Sequence, residues 1–134
     1  MSVILAALAL GFNPMSASQP LPSVQTEKGE AETAARRWLE LGDANDIEAT
    51  YALTAANFRE ANTLEVWRGA ASQVRMPLGA VRVRHLISAE MPPTPQGYVV
   101  TKYRTDFENR AGVVETVSLL REGGEWRVAG IYVE

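Results

Sequence analysis

Hydrophobic positions follow helical spacing in the first half of the chain and alternate in the second half. In residues 27–41, apolar side chains recur at i, i+3 and i+4, which predicts a helix that ends at Gly42. The same spacing predicts a second helix over residues 47–58 and a third that Pro77 stops. The apolar face of the third helix comprises Trp67, Ala70, Ala71 and Val74.

Four strand-like segments follow, separated by turn residues. They cover residues 80–90, 98–108, 113–121 and 126–133. Helices followed by consecutive strands with short turns predict an α+β fold, in which N-terminal helices pack on a curved four-stranded antiparallel meander. In the first strand, alternation assigns Val81, Val83, His85, Ile87 and Ala89 to one face, and Arg82 and Arg84 to the other.

Pairing the strands predicts which residues point inward. A two-residue turn at Gly123-Gly124 would place Leu119 opposite Val128, and Glu115 opposite Tyr132. Facing residues share a side of the sheet, so the hairpins define one inward set. That set comprises Val99, Tyr103, Phe107, Val113, Val117, Leu119, Trp126 and Val128.

One carboxylate, Glu115, falls in phase with this apolar face. The face also gathers polar and aromatic groups into a candidate pocket of His85, Tyr103, Glu115, Trp126 and Tyr132. Glu115 could serve general acid or base chemistry there. The favoured interpretation is a paired carboxylate at the sheet margin, bonded to Tyr132 and to a backbone amide or an arginine, because buried carboxylates are seldom left unpaired.

Composition excludes several classes of function. The 134 residues carry a net charge of −3 and no cysteine, which gives no electrostatic case for nucleic acid and no thiolate chemistry. A single histidine, His85, cannot build a His-rich metal site. Phosphate-binding, metalloprotease and nucleophile-elbow motifs are absent from the sequence. We therefore assign no catalytic residue, cofactor or metal ligand.

The outer face of the sheet is predicted to be basic and partly apolar. We interpret its basic set, which comprises Arg82, Arg84, Lys102 and Arg104, as a solvated surface rather than an anion site. The sequence also assigns Leu120, Ile131 and Val133 to this face, and such an apolar patch would suit a homodimer contact.

The N-terminal segment differs from the rest of the chain. An apolar run, Val3 to Phe12, precedes small residues, a pattern typical of a secretory signal although it lacks a basic start. The run is too short to span a bilayer as a helix. We therefore divide the chain into a leader at 1–18, a linker at 19–30 and a single domain at 31–134, and expect export to the periplasm or medium.

Several spaced motifs resemble a known bacterial family. They are AARRWLELGD, NFREANTLEVW, RMPLGAVRVRHL and ETVSLL followed by GGEWRVAGIY. Together they are similar to the domain of unknown function 4019 (DUF4019) family, over about residues 32–133. The family name implies no activity. The order of helices and strands is also similar to the nuclear-transport-factor-2-like and cystatin-like superfamily, which implies a cone of helices against a curved sheet.

Three functions remain open from the sequence. The favoured one is a non-catalytic exported module that binds a small ligand or a protein partner. The second is a small isomerase- or dehydratase-like enzyme that uses the inward Glu, His and Tyr cluster, and it rests mainly on analogy. The third is a structural envelope protein whose interior is plugged by Trp38, Trp67 and Phe58.

Overall fold

The computed structural model describes residues 23–134, in which helices precede a single sheet. The predicted leader at 1–18 lies outside the described residues. The first helix already begins at Val24, within the segment that the sequence assigned to a linker. The helices are α1 (Val24–Asp43), α2 (Ile47–Ala52), α3 (Ala56–Ala61), α4 (Leu64–Arg75) and a 3-10 turn (Met76–Leu78), and the strands are β1 (Val81–Glu90), β2 (Tyr98–Phe107), β3 (Val113–Glu122) and β4 (Glu125–Val133).

Short polar side chains start three of the helices. Ser23, Asp46 and Thr63 each accept a hydrogen bond from a backbone N–H in the first turn of α1, α2 and α4. The predicted second helix is divided into α2 and α3. Its break has a tertiary cause, because the N–H of Ala55 donates to the carbonyl of Val128 and the N–H of Val128 donates to the carbonyl of Leu53.

The sheet is antiparallel with strand order β1-β2-β3-β4, which confirms the predicted meander. The turn between β3 and β4 has the predicted register, with Glu122 opposite Glu125. A three-residue loop at residues 109–111 predicts Thr105 opposite Glu115. The observed β2–β3 pairing is shifted by two residues, so that Tyr103 lies opposite Glu115. A shift of two residues keeps every side chain on its predicted face.

The main core lies between α1 and the inward face of β2 and β3. Ala31 and Ala35 of α1 are fully buried against the sheet, as are Val99, Tyr103 and Val117. Small residues on the buried stripe of α1 let the helix approach the strands closely. A second cluster of Leu78, Phe107 and Val113 closes the end of the sheet near the 3-10 turn.

Bulges in the two edge strands correct several predicted orientations. The β1 register shifts between Val81 and Val83 and again between Leu86 and Ser88. Each inserted residue turns the following side chains to the other face. Arg84 therefore lies opposite Thr105 on the inward face, whereas His85 lies opposite Arg104 on the outer face.

A bulge in β4 has the same effect near the end of the chain. Ser118 lies opposite Gly130, but Leu119 lies opposite Val128, so Ala129 is the inserted residue. Glu115 consequently lies opposite Val133, not opposite Tyr132 as predicted. Tyr132 is 62% exposed on the outer face, and Ile131 and Val133 turn inward. Three residues predicted for the outer face, Arg84, Ile131 and Val133, therefore lie on the inward face.

Within residues 23–134, no helix has both the length and the apolar character needed to cross a membrane.

Candidate functional site

A cavity of about 200 Å³ lies beneath α4. Its other walls are α1, α2 and inward residues of β3 and β4. The walls are mainly apolar and include Leu39, Ile47 and Ile131. On the α4 side, Ala70 and Ala71 face this space, and their single methyl groups are too short to fill it.

Two tryptophans form one wall of the cavity. The rings of Trp38 and Trp67 lie 5.7 Å apart between centroids, and Phe58 packs edge-on against Trp67 at 5.4 Å. Both indole N–H groups are fixed by one residue: Trp38 donates to the carbonyl of Thr50 at 2.8 Å, and Trp67 to its Oγ1 at 3.0 Å. These bonds hold the rings side by side as a wall, and the space beside them stays open.

The opposite end of the cavity is ionic, and Arg84 is its centre. The side chain of Glu115, also lining the cavity, is only 3% exposed. Arg84 Nε donates to Glu115 Oε1 at 2.9 Å and its second terminal nitrogen to Oε2 at 3.3 Å. Thr105 adds a 2.5 Å hydrogen bond to Oε1. The inward carboxylate is thus paired with a buried arginine, but the expected bond to Tyr132 is wrong, because Tyr132 lies on the outer face.

Asp43, at the end of α1, completes the same network. It accepts hydrogen bonds from the two terminal nitrogens of Arg84 at 2.8 and 3.1 Å. Arg75 of α4 reaches the same carboxylate at 3.3 Å and donates to the carbonyl of Gly79 at 2.6 Å. Its guanidinium also stacks on the ring of Phe107, 4.7 Å from the centroid. The network therefore joins α1, α4 and the sheet at one point.

The charge of Arg84 is set by two opposing effects. Burial disfavours the charged form, but hydrogen bonds to Asp43 and Glu115 outweigh it, so the pKa of Arg84 lies above its ordinary value. Arg84 is therefore a permanent cation between two carboxylates. Removing it would leave both carboxylates without their shared partner in a largely dehydrated place.

The structure separates the five predicted pocket residues. Glu115 lines the cavity, whereas His85 and Tyr132 lie on the outer face of the sheet. Tyr103 is fully buried, but its hydroxyl donates to Glu32 of α1 at 2.8 Å, away from the cavity. Trp126 packs beside the core, and Arg121 covers its ring at 4.7 Å.

Sequence reasoning missed Arg84 as the partner of Glu115, and it missed Asp43 and Arg75, which extend the network from Arg84. Strict alternation in β1 had placed Arg84 on the outer face, and the bulge reversed it. A signal was nevertheless present. A carboxylate on an apolar face requires a nearby cation, and the short stretch from Arg75 to Arg84 supplies three arginines just before and within the first strand.

Across residues 23–134, no group of three His, Asp or Glu side chains is arranged to bind a metal ion. The arrangement can instead enclose a small apolar molecule and offer polar atoms at one end.

Comparison with known proteins gives a family and a fold. A family model described as "Protein of unknown function (DUF4019)" matches residues 34–131. No curated protein matches the chain. The solved structure of Aln2 from a Streptomyces species is similar, with a TM-score of 0.56 and 18% identity over 86% of this chain and 93% of that one. At this identity the likeness concerns the fold alone.

Proposed function

Because the chain belongs to the DUF4019 family, whose description states no activity, we propose a function from the cavity itself. The protein is a non-catalytic module that binds one small ligand beneath α4. The observation that carries this proposal is an open apolar space between two fixed tryptophans and a charge-compensated ionic end. Ligand sites are commonly apolar pockets with a few fixed polar groups.

The packing of α4 supports the proposal. This helix has a clear apolar face, yet none of its residues is buried, and Val74 remains 48% exposed. Protein interiors are normally packed to crystal-like density, so unfilled apolar space forfeits dispersion contacts. A ligand of suitable shape would recover those contacts.

The chemistry at Glu115 favours binding over catalysis. Both of its oxygens accept hydrogen bonds from Arg84, and Oε1 also accepts one from Thr105. General acid–base chemistry also needs partner groups placed in the same cavity. His85 and Tyr132, the partners of an acid–base mechanism, lie on the opposite face of the sheet. The isomerase-like alternative therefore has less support than the binding module.

Superfamily and location complete the proposal. The order of helices and strands supports a nuclear-transport-factor-2-like fold, and the likeness to Aln2 is compatible with it. The apolar run Val3 to Phe12 supports export. Fractionation of source cells should then recover the protein outside the cytoplasm, shortened by a mass that matches roughly residues 1–18. Recovery of the uncleaved chain from the cytoplasm would contradict export.

Binding can be tested with a benzene-sized probe. Because Trp38 and Trp67 line the cavity, toluene should change the tryptophan fluorescence of the full chain and raise its Tm. Ala71→Leu should abolish both effects by filling the space. Ala61→Leu, which adds the same group on the exposed end of α3, should leave them intact. Failure of toluene to bind, or equal binding by Ala71→Leu, would overturn the proposal.

A further inference from the structure

The size of the cavity limits what it can hold. An engineered apolar cavity of about 150 Å³ is known to accommodate benzene. The cavity beneath α4 has about 200 Å³, so a single ring with one short substituent fits. The two indoles in its wall offer flat apolar surfaces against which such a ring can pack.

The ionic end offers unfilled hydrogen-bonding capacity of both kinds. Glu115 Oε1 accepts two short bonds, but Oε2 accepts a single bond at 3.3 Å, which leaves lone-pair capacity on that oxygen. Arg75 also lines the cavity. Each of its two terminal nitrogens carries two N–H groups, and within residues 23–134 one donates to the carbonyl of Gly79 and the other to Asp43, which leaves N–H groups to donate. The end can therefore both accept a hydrogen bond and donate one.

The charges at the ionic end of the cavity are balanced. The carboxylates of Asp43 and Glu115 are matched by the guanidiniums of Arg75 and Arg84. A charged ligand group would have to leave water for an apolar cavity without gaining a net counter-charge, which is unfavourable. A neutral group avoids this loss.

Resting on the proposed function, we propose that the cavity selects a neutral, single-ring molecule that carries one hydroxyl group at the ionic end. A hydroxyl can donate to Glu115 Oε2 and accept from an N–H of Arg75. An ammonium group can only donate, and a carboxylate can only accept, so each leaves one side of the site unmatched. An unsubstituted ring uses neither side.

Four probes of nearly equal shape test this selection: toluene, benzyl alcohol, benzoate and benzylammonium. Their dissociation constants from the full chain are measured at pH 7 by calorimetry and tryptophan fluorescence. Benzyl alcohol should bind about tenfold more tightly than toluene, which corresponds to one additional hydrogen bond. Both ions should bind at least about tenfold more weakly than benzyl alcohol, because their charge is uncompensated. Equal binding of toluene and benzyl alcohol, or tighter binding of either ion, would overturn the inference.

A change of charge at the ionic end provides the second test. Glu115→Gln keeps the shape of the side chain but leaves the end with one net positive charge. Benzoate should then gain about tenfold relative to benzyl alcohol. Asp43→Asn makes the same change at a less buried position, and it serves if the first variant fails to fold. Glu65→Gln, on the exposed first turn of α4, is the control and should keep the original order. An unchanged order in both ionic-end variants would overturn the assignment.

The two proposals fail in different ways. If toluene binds and Ala71→Leu abolishes that binding, the cavity is a binding site whatever the order of the other probes. A wrong order would then refute only the selection for a neutral hydroxyl compound. If toluene does not bind, the proposed function itself fails.

Discussion

Helices α1 and α4 both carry a clear apolar stripe, but they pack against the domain very differently. Four residues of α1 are buried, Ala31, Ala35, Trp38 and Leu39. Their partners on β2 and β3 include Val99 and Val117, which are fully buried. In α4 no residue is buried, and Val66 and Val74 are 56% and 48% exposed.

The difference shows that one sequence pattern can serve two purposes. In α1, alanines bring the helix down onto the strands, and larger side chains on the sheet fill the interface. In α4, alanines face a space that no opposing side chain fills. Amphipathic spacing determines which face of a helix turns inward, but the facing surface determines whether that contact is closed. A ligand can therefore enter on the α4 side of the domain without displacing the core.

The largest effect is expected at Arg84, which pairs with Asp43 at the end of α1 and with Glu115 on the sheet. Arg84→Ala should lower the free energy of unfolding by about 3–5 kcal/mol, because it leaves two carboxylates without their buried cation. Chemical denaturation monitored by circular dichroism measures the change. Arg104→Ala, on the exposed outer face of β2, should stay within about 0.5 kcal/mol of the wild type. Equal losses in the two variants would contradict the buried network.

A matched pair of valines compares the packing beneath α1 with the packing of α4. Val117→Ala removes a fully buried side chain beneath α1 and should cost about 2–3 kcal/mol of unfolding free energy. Val74→Ala removes the same atoms from the cavity-facing side of α4, where Val74 is 48% exposed, and should cost less than about 0.5 kcal/mol. The same denaturation experiment measures both. Similar costs would show that α4 is packed as closely as α1.

Enlarging one alanine in each helix should give effects of opposite sign. Ala35→Leu forces a larger side chain into the closed interface of α1 and should destabilise the protein by about 1–3 kcal/mol. Ala71→Leu fills the cavity and should stabilise it by about 0.5–2 kcal/mol. Melting temperatures of the two variants and the wild type provide the comparison. A loss of stability in Ala71→Leu would indicate that the cavity is already occupied or too narrow.

The smallest effect concerns how pH changes the free energy of unfolding through Tyr103, which is buried beneath α1. Burial, followed by the hydrogen bond to Glu32, raises the pKa of Tyr103 above its ordinary value of about 10. The unfolded chain therefore loses this proton first as pH rises above about 10, and the stability contributed by neutral Tyr103 declines from there upward. In Tyr103→Phe, unfolding free energy should fall less steeply between about pH 10 and 11 than in the wild type.

The other tyrosines serve as an internal control for that measurement. Tyr51, Tyr98 and Tyr132 are present in both proteins, so their ionisation affects both curves equally. Parallel curves for the wild type and Tyr103→Phe would contradict the assigned role of Tyr103 in alkaline unfolding.

Prediction succeeded where strands pair without interruption. In β2 and β3, alternation from Val99 to Phe107 and from Val113 to Leu119 placed each inward residue correctly, including Glu115. The two-residue error in register between these strands did no harm, because the side-chain period is two. In β1 and β4 the predicted faces are wrong only beyond inserted residues, at 83–85 and at 131–133, because each inserted residue reverses the faces that follow it.

The sequence by itself determined the α+β class, the order of helices and strands, and the inward position of Glu115, because these follow from local periodicity and turn chemistry. The tertiary structure alone decided the partner of that carboxylate. Bulges depend on how the edge strands bend, and they turned Arg84 inward and His85 outward. The cavity was likewise decided by packing, since an empty volume belongs to no single segment but to the fit between α4 and the surfaces facing it.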